Sequence, residues 1–214
     1  MKPAAFLFDL DGTLVDTEML WATAMSQYLA HRGFVLSGED VLKIVFGRSW
    51  KEIHQDICRM FPALGDVSID VMSNDLRILY AKLCPDPSCT IIKESVSCLK
   101  RVSSLAPCAI VSGSSHADIE KAVALIGCKD EIKAIFGAED YSRGKPFPDS
   151  FIAAAEHFGV PRSQCVVFED SPAGIKAAKN AGMFCVALKR NRPRFPEHDL
   201  ADLVLDSLEK YQNC

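Results

Sequence analysis

Two carboxylates two residues apart, Asp9 and Asp11, close the apolar run Ala4-Ala5-Phe6-Leu7-Phe8, and Gly12-Thr13 follows at once. Ending an apolar run in two like charges is costly. The charges repel, and partial burial raises the penalty unless a cation or hydrogen bonds compensate. A hard, oxygen-seeking metal such as Mg2+ is the usual compensation, and Gly12 permits a tight turn and close backbone approach to a ligand. The same stretch also suits an acidic turn with a helix cap at Thr17. Three further polar groups follow apolar runs or turns: Ser112-Gly113-Ser114, Lys145 in Gly144-Lys145-Pro146, and Glu169-Asp170. Each has an ordinary structural reading beside a chemical one. The serines suit a turn and helix cap, and a lysine beside a proline turn suits solvent. Adjacent acids before Ser171-Pro172 suit a metal shell and a helix N-cap equally.

Their order along the chain carries more than any one of them. Asp9-Leu10-Asp11-Gly12-Thr13, Val111-Ser112-Gly113-Ser114, Gly144-Lys145-Pro146-Phe147-Pro148-Asp149 and Phe168-Glu169-Asp170-Ser171-Pro172-Ala173-Gly174 resemble, in sequence, the four motifs of the haloacid dehalogenase superfamily of phosphotransferases. The branch they resemble holds small sugar-phosphate phosphatases and beta-phosphoglucomutase. This resemblance implies an α/β fold: a Rossmann-like core with a mostly parallel sheet and an inserted small all-helical cap. It also implies Asp9 as a nucleophile that forms an aspartyl-phosphate, and Asp11 as the group that protonates the leaving oxygen and later takes a proton from water. Ser112 would donate its hydroxyl to a phosphoryl oxygen. Lys145 would neutralise phosphate and hold Asp9 ionised. Asp9, the backbone carbonyl of Asp11, and Asp170 would ligate Mg2+, with Glu169 holding a metal-bound water. Leu10, Gly113 and Ser114 join the substrate-binding set. Asp149 is either a partner of Lys145 or the first-turn acid of its helix. Family members that cleave carbon–halogen or carbon–phosphorus bonds lack the second carboxylate, so Asp11 argues against those reactions.

The elements that must position these groups follow from hydrophobic patterning. Strands are predicted at Ala4 to Phe8, Cys108 to Val111, Ala134 to Phe136, Cys165 to Phe168, Phe184 to Leu188 and Leu203 to Leu205. Helical patterns between most of them indicate an open sheet covered on both faces, with ligands bound at the carboxyl ends of its strands. From about Glu18 to Leu83 the pattern is helical throughout, too long for an ordinary crossover. The expected boundaries are therefore a core of 1–16 and 84–214, and a cap of 17–83. Hinges are expected near Val15-Asp16-Thr17 and in Cys84-Pro85-Asp86-Pro87-Ser88, whose prolines stiffen it. Arg48, in a Gly-Arg turn, is the principal cap candidate for gripping substrate, although an exposed arginine at a helix start is commonplace. Glu18, Trp21 and His54 are further pocket candidates, with packing inside the cap as the alternative for Trp21.

Composition narrows the partners. In 214 residues the net charge is -4, and no basic cluster exceeds Lys189-Arg190-Asn191-Arg192-Pro193-Arg194, so a nucleic-acid footprint is not expected. No apolar stretch is long enough to span a bilayer, and with the first predicted strand so near the start no signal peptide is expected. Nine cysteines, an odd number without C-x-x-C, indicate reduced thiols in a cytoplasmic protein. The histidines show no zinc-ligand spacing. The expected partner is a small phosphorylated metabolite, and a monomer is expected. Gly12-Thr13-Leu14-Val15-Asp16 looks like the hydrolase form of the first motif, which ranks a phosphatase above a beta-phosphoglucomutase-like enzyme. A binding or regulatory protein that keeps the fold is the non-enzyme alternative.

Overall fold

A computed structural model describes residues 2–36, 38–45, 50–190 and 195–212. By contacts the chain divides into two compact units, Met1–Val15 with Thr90–Cys214, and Asp16–Cys89. The first is α/β and the second helical.

Six strands form the sheet of the α/β unit: β1 (Ala5–Phe8), β2 (Cys108–Val111), β3 (Ile132–Phe136), β4 (Cys165–Glu169), β5 (Phe184–Leu188) and β6 (Leu203–Leu205). Their order is β3-β2-β1-β4-β5-β6, and every neighbouring pair is parallel. All six predicted apolar runs are strands. β3 starts two residues before the predicted Ala134, because the exposed Lys133 interrupts the apolar run of an edge strand that is only partly buried. Short 3-10 turns such as Pro62–Leu64 and Pro87–Thr90 were not anticipated; a single turn has no periodicity to read.

Alternation along the strands sorts side chains to two unlike faces. Phe6, Phe8, Ile110 and Phe168 lie on one face, with Val96, Leu99, Ile119 and Tyr211. The Phe8 and Phe168 rings stack at 4.4 Å. These residues pack with α5 (Lys93–Ser103) and α6 (His116–Ile126). Ala5, Leu7, Ala109 and Val167 lie on the other face, with Ala154, Ala155, Ala177 and Ala178 of α7 (Asp149–Phe158) and α8 (Pro172–Asn180). Small residues on both sides let these two helices approach the sheet closely.

The helical unit contains α1 (Glu18–Ala30), α2 (Gly38–Val45), α3 (Trp50–Met60) and α4 (Ile69–Leu83). Its own core joins Ala22, Met25, Tyr28, Leu29, Val41, Ile53, Ile57, Met72 and Leu76. The two points where the α/β unit hands the chain over are tied together, since Ile92 N donates to Leu14 O at 2.9 Å and Val15 bridges Ile91. No described helix is long and apolar enough to cross a membrane.

Candidate functional site

Strand order decides which polar residues meet. β1 lies between β2 and β4, so Asp9, Ser112 and Glu169-Asp170 emerge from the carboxyl ends of three adjacent strands. Order reverses direction here, the usual place for a ligand crevice in an open α/β sheet.

Asp9, Glu169 and Asp170 are 7%, 0% and 2% exposed, and one carboxylate oxygen from each lies within 4.8 Å of the others. Lys145 enters this cluster from the loop before α7. Its Nζ donates to Asp9 Oδ1 at 2.5 Å, Glu169 Oε1 at 2.7 Å and Val111 O at 3.0 Å. Burial, then the charges of Glu169 and Asp170, push the Asp9 carboxyl well above its ordinary value against the pull of Lys145. Burial alone would push Lys145 down, but Asp9 and Glu169 lift it above the ordinary lysine value. The ammonium is therefore charged at neutral pH.

Glu169 is held on both oxygens. Oε1 accepts from Lys145, and Oε2 accepts from Asp170 N, Ser171 N and Ser171 Oγ at 2.8–3.0 Å. Asp170 Oδ1 accepts from Thr13 Oγ1 at 3.2 Å. The loop after β1 presses against Asp170: a Cβ on Gly12, whose φ is +91°, would fall 2.1 Å from Asp170 Oδ2. Three buried carboxylates facing one ammonium leave excess negative charge, and their donors are all oxygen. This cluster fits a hard divalent cation.

Asp11 and the serine loop form the other side. Asp11 is half-buried, and its Oδ2 accepts from Ser114 Oγ at 3.0 Å. Ser112 is buried, and its Oγ accepts from Ser114 N at 3.0 Å. Gly113 is exposed between them. Leu10 is buried, and its carbonyl accepts from the N–H groups of Thr13, Leu14 and Val15, closing the turn that carries Asp11.

The remaining candidates lie elsewhere. Asp149 does not join Lys145; it opens α7 and makes a two-pronged ion pair with Arg143 at 3.0 and 2.9 Å, which holds its carboxyl below the usual range. In the helical unit, Trp21 packs on Tyr80 with ring centres 4.4 Å apart. His54 Nε2 lies 2.7 Å from Val67 O. Glu18 opens α1, its side chain outside the described residues. Arg48 and residues 191–194 of the basic run also lie outside them.

Three supporting residues went unassigned from sequence. Tyr141 OH donates to Ser112 O at 2.8 Å, Thr13 holds Asp170, and Gly174 clears space for Glu169, since a Cβ there would fall 1.6 Å from Oε1. Only Gly174 left a signal, a glycine in the first turn of a helical pattern, where alanine is the better helix former.

Residues 6–188 match the family described as haloacid dehalogenase-like hydrolase. The chain is 33% identical over 183 residues to validoxylamine A 7'-phosphate phosphatase of Streptomyces hygroscopicus subsp. limoneus, covering 85% of this chain and 84% of that protein. It is 32% identical to hexitol phosphatase A of Escherichia coli K12, covering 98% and 94%. Among solved structures it resembles beta-phosphoglucomutase from Clostridium difficile with a TM-score of 0.80 and 25% identity, covering 99% and 94%.

Proposed function

The chain belongs to the haloacid dehalogenase-like hydrolase family, and from that premise we propose that it is a Mg2+-dependent phosphatase of small sugar or polyol phosphates, acting through an aspartyl-phosphate. The observation that carries this reading is the meeting of Asp9, Lys145 and Asp170 beside an independently held Asp11. The likeness to validoxylamine A 7'-phosphate phosphatase and to hexitol phosphatase A supports the substrate class.

Asp9 attacks phosphorus in line with the ester oxygen, so the Oδ–P bond forms as the P–O bond to the sugar breaks. Asp11 gives its proton to the departing alkoxide. In the second half it takes a proton from water, which attacks the aspartyl-phosphate, releases inorganic phosphate and restores Asp9. Lys145 draws Asp9 toward its ionised form against burial and the neighbouring acids and balances charge on the phosphoryl oxygens, while Ser112 and the adjoining backbone receive them. Asp9, Asp170 and the Asp11 carbonyl would hold Mg2+, which when bound offsets repulsion between carboxylate and phosphoryl group. With both oxygens of Glu169 engaged, we assign it to holding Lys145 and the turn after β4 as well as a metal-bound water.

These groups address phosphate and metal only. Substrate choice then falls to the helical unit, acting as a cap, with Arg48 as the group that grips the sugar or a distal phosphate. A panel of sugar, polyol and nucleotide monophosphates, assayed for phosphate release with Mg2+ and with chelator, tests the reading. We expect release only with Mg2+ and highest kcat/KM for a sugar or polyol phosphate. Arg48→Ala should depress that value far more than hydrolysis of an aryl phosphate. Full activity in chelator would remove the metal assignment. The likeness to beta-phosphoglucomutase favours a second reading; interconversion of hexose phosphates without phosphate release would establish it instead.

A further inference from the structure

The chain returns from α4 to the α/β unit through Cys84-Pro85-Asp86-Pro87-Ser88-Cys89. Cys84 caps the end of α4 and is buried, while Cys89 is exposed in the 3-10 turn Pro87–Thr90. Their sulfurs lie 3.5 Å apart. The contact does not depend on the thiols alone. Asp86 Oδ1 accepts from Ser88 N at 2.9 Å, Cys89 N donates to Asp86 O at 3.2 Å, and Pro85 and Pro87 fix two φ angles. The turn that brings the sulfurs together is therefore closed by the backbone, and bonding them would order little additional chain.

Burial raises the Cys84 thiol above its ordinary value, as it does the thiols of the α/β unit. Cys98, Cys108 and Cys165 are buried in α5, β2 and β4. Burial pushes their thiols up to about 11, 12 and 11 respectively, which leaves almost no thiolate at neutral pH. An exposed thiol beside a buried one is the arrangement that thiol–disulfide exchange needs, one sulfur to meet the oxidant and one to resolve it.

We propose that Cys84 and Cys89 are a reversible dithiol–disulfide site at the C-terminal end of the helical unit. Cys89 thiolate attacks a small-molecule disulfide such as oxidised glutathione and expels one thiolate. Cys84 then loses its proton and attacks the Cys89 sulfur of the mixed disulfide, expelling the second. In all, two protein thiols lose two electrons and two protons, and one small disulfide becomes two thiols. The sulfurs must close by roughly 1.5 Å to bond, a distance within reach of side-chain rotation at exposed Cys89.

The test incubates the full chain with mixtures of oxidised and reduced glutathione, acid-quenches, alkylates remaining thiols and maps the peptides by mass spectrometry. The expected product joins Cys84 to Cys89, lighter by two hydrogens and reversed by dithiothreitol, while Cys98, Cys108 and Cys165 stay alkylatable after denaturation. Cys84→Ser should strand Cys89 as a glutathione mixed disulfide. A mixed disulfide that persists on Cys89 in the unaltered chain, or two alkylated thiols at every glutathione ratio, would overturn the site.

Discussion

The helical unit and the α/β unit spend their folding energy differently. Among the described residues, the helical core is apolar apart from the Tyr28 hydroxyl, and its ion pairs, Arg32–Asp75, Lys43–Asp40 and Arg59–Asp56, retain substantial solvent exposure. In the α/β unit, three carboxylates are sealed beside Lys145, whose side chain is 11% exposed. Surface pairs contribute little and cost little; buried charges must be compensated and destabilise when they are not. The α/β unit thus carries a local instability at its strand ends, as catalytic sites commonly do. Substitutions in the two units should accordingly separate activity from stability.

The largest separation is expected at Asp9. Asp9→Asn should cut turnover by roughly 10^4-fold or more, because an amide cannot form the acyl phosphate. Burial and its acidic neighbours oppose the charge of this carboxylate, so thermal unfolding of the metal-free chain should show no loss of Tm. A fall like that of a core cavity variant would break the contrast between the units. Asp11→Asn comes next. Its side chain is half-buried and contacts Ser114, so folding should persist while alkyl phosphate hydrolysis falls by about 10^2–10^4. An aryl phosphate, whose leaving group needs less protonation, should lose less in rapid-quench measurements of the first step. Equal losses would remove the proton-donor role.

Gly174→Ala turns the comparison on stability. Helix propensity alone would make it stabilising by about 1 kcal/mol. The new Cβ would, however, strike a Glu169 carboxylate held by four donors. We expect a net loss of about 2–4 kcal/mol in urea unfolding, with activity reduced through Lys145. A gain in stability would show that Glu169 can yield. The smallest effect belongs to the helical unit. Arg32 pairs with Asp75 and lies 3.7 Å from the Tyr28 ring centre, yet Arg32→Ala should cost only about 0.5–1.5 kcal/mol and leave aryl phosphate turnover unchanged. A loss as large as that of Gly174→Ala would mean that the helical unit also depends on its charges.

The legible parts of this molecule were those whose signal is local. Ala4 to Phe8 and Cys165 to Phe168, which form β1 and β4, read as parallel strands because strands buried on both faces are continuously apolar. Helices α1 to α4 occupy the stretch from about Glu18 to Leu83 that read as helical throughout. Edge strand β3 was read short because the exposed Lys133 interrupts its apolar run. The polar candidates on strand ends were identifiable, but their individual duties were not. Asp149 suited Lys145 and a helix start equally until Arg143 was found beside it.

By itself, then, the sequence determined the alternation of strands and helices, the helical insertion and the placing of acids at strand ends, since each depends on residues a few positions apart. Tertiary structure alone decided how those acids are used. Lys145 meets Asp9 across 136 positions and Glu169 across 24, and Thr13 meets Asp170 across 157. Such meetings depend on β1 lying between β2 and β4. A carboxylate's duty is set by the donors its oxygens accept, and those donors arrive from strands and loops that only the closed sheet brings together.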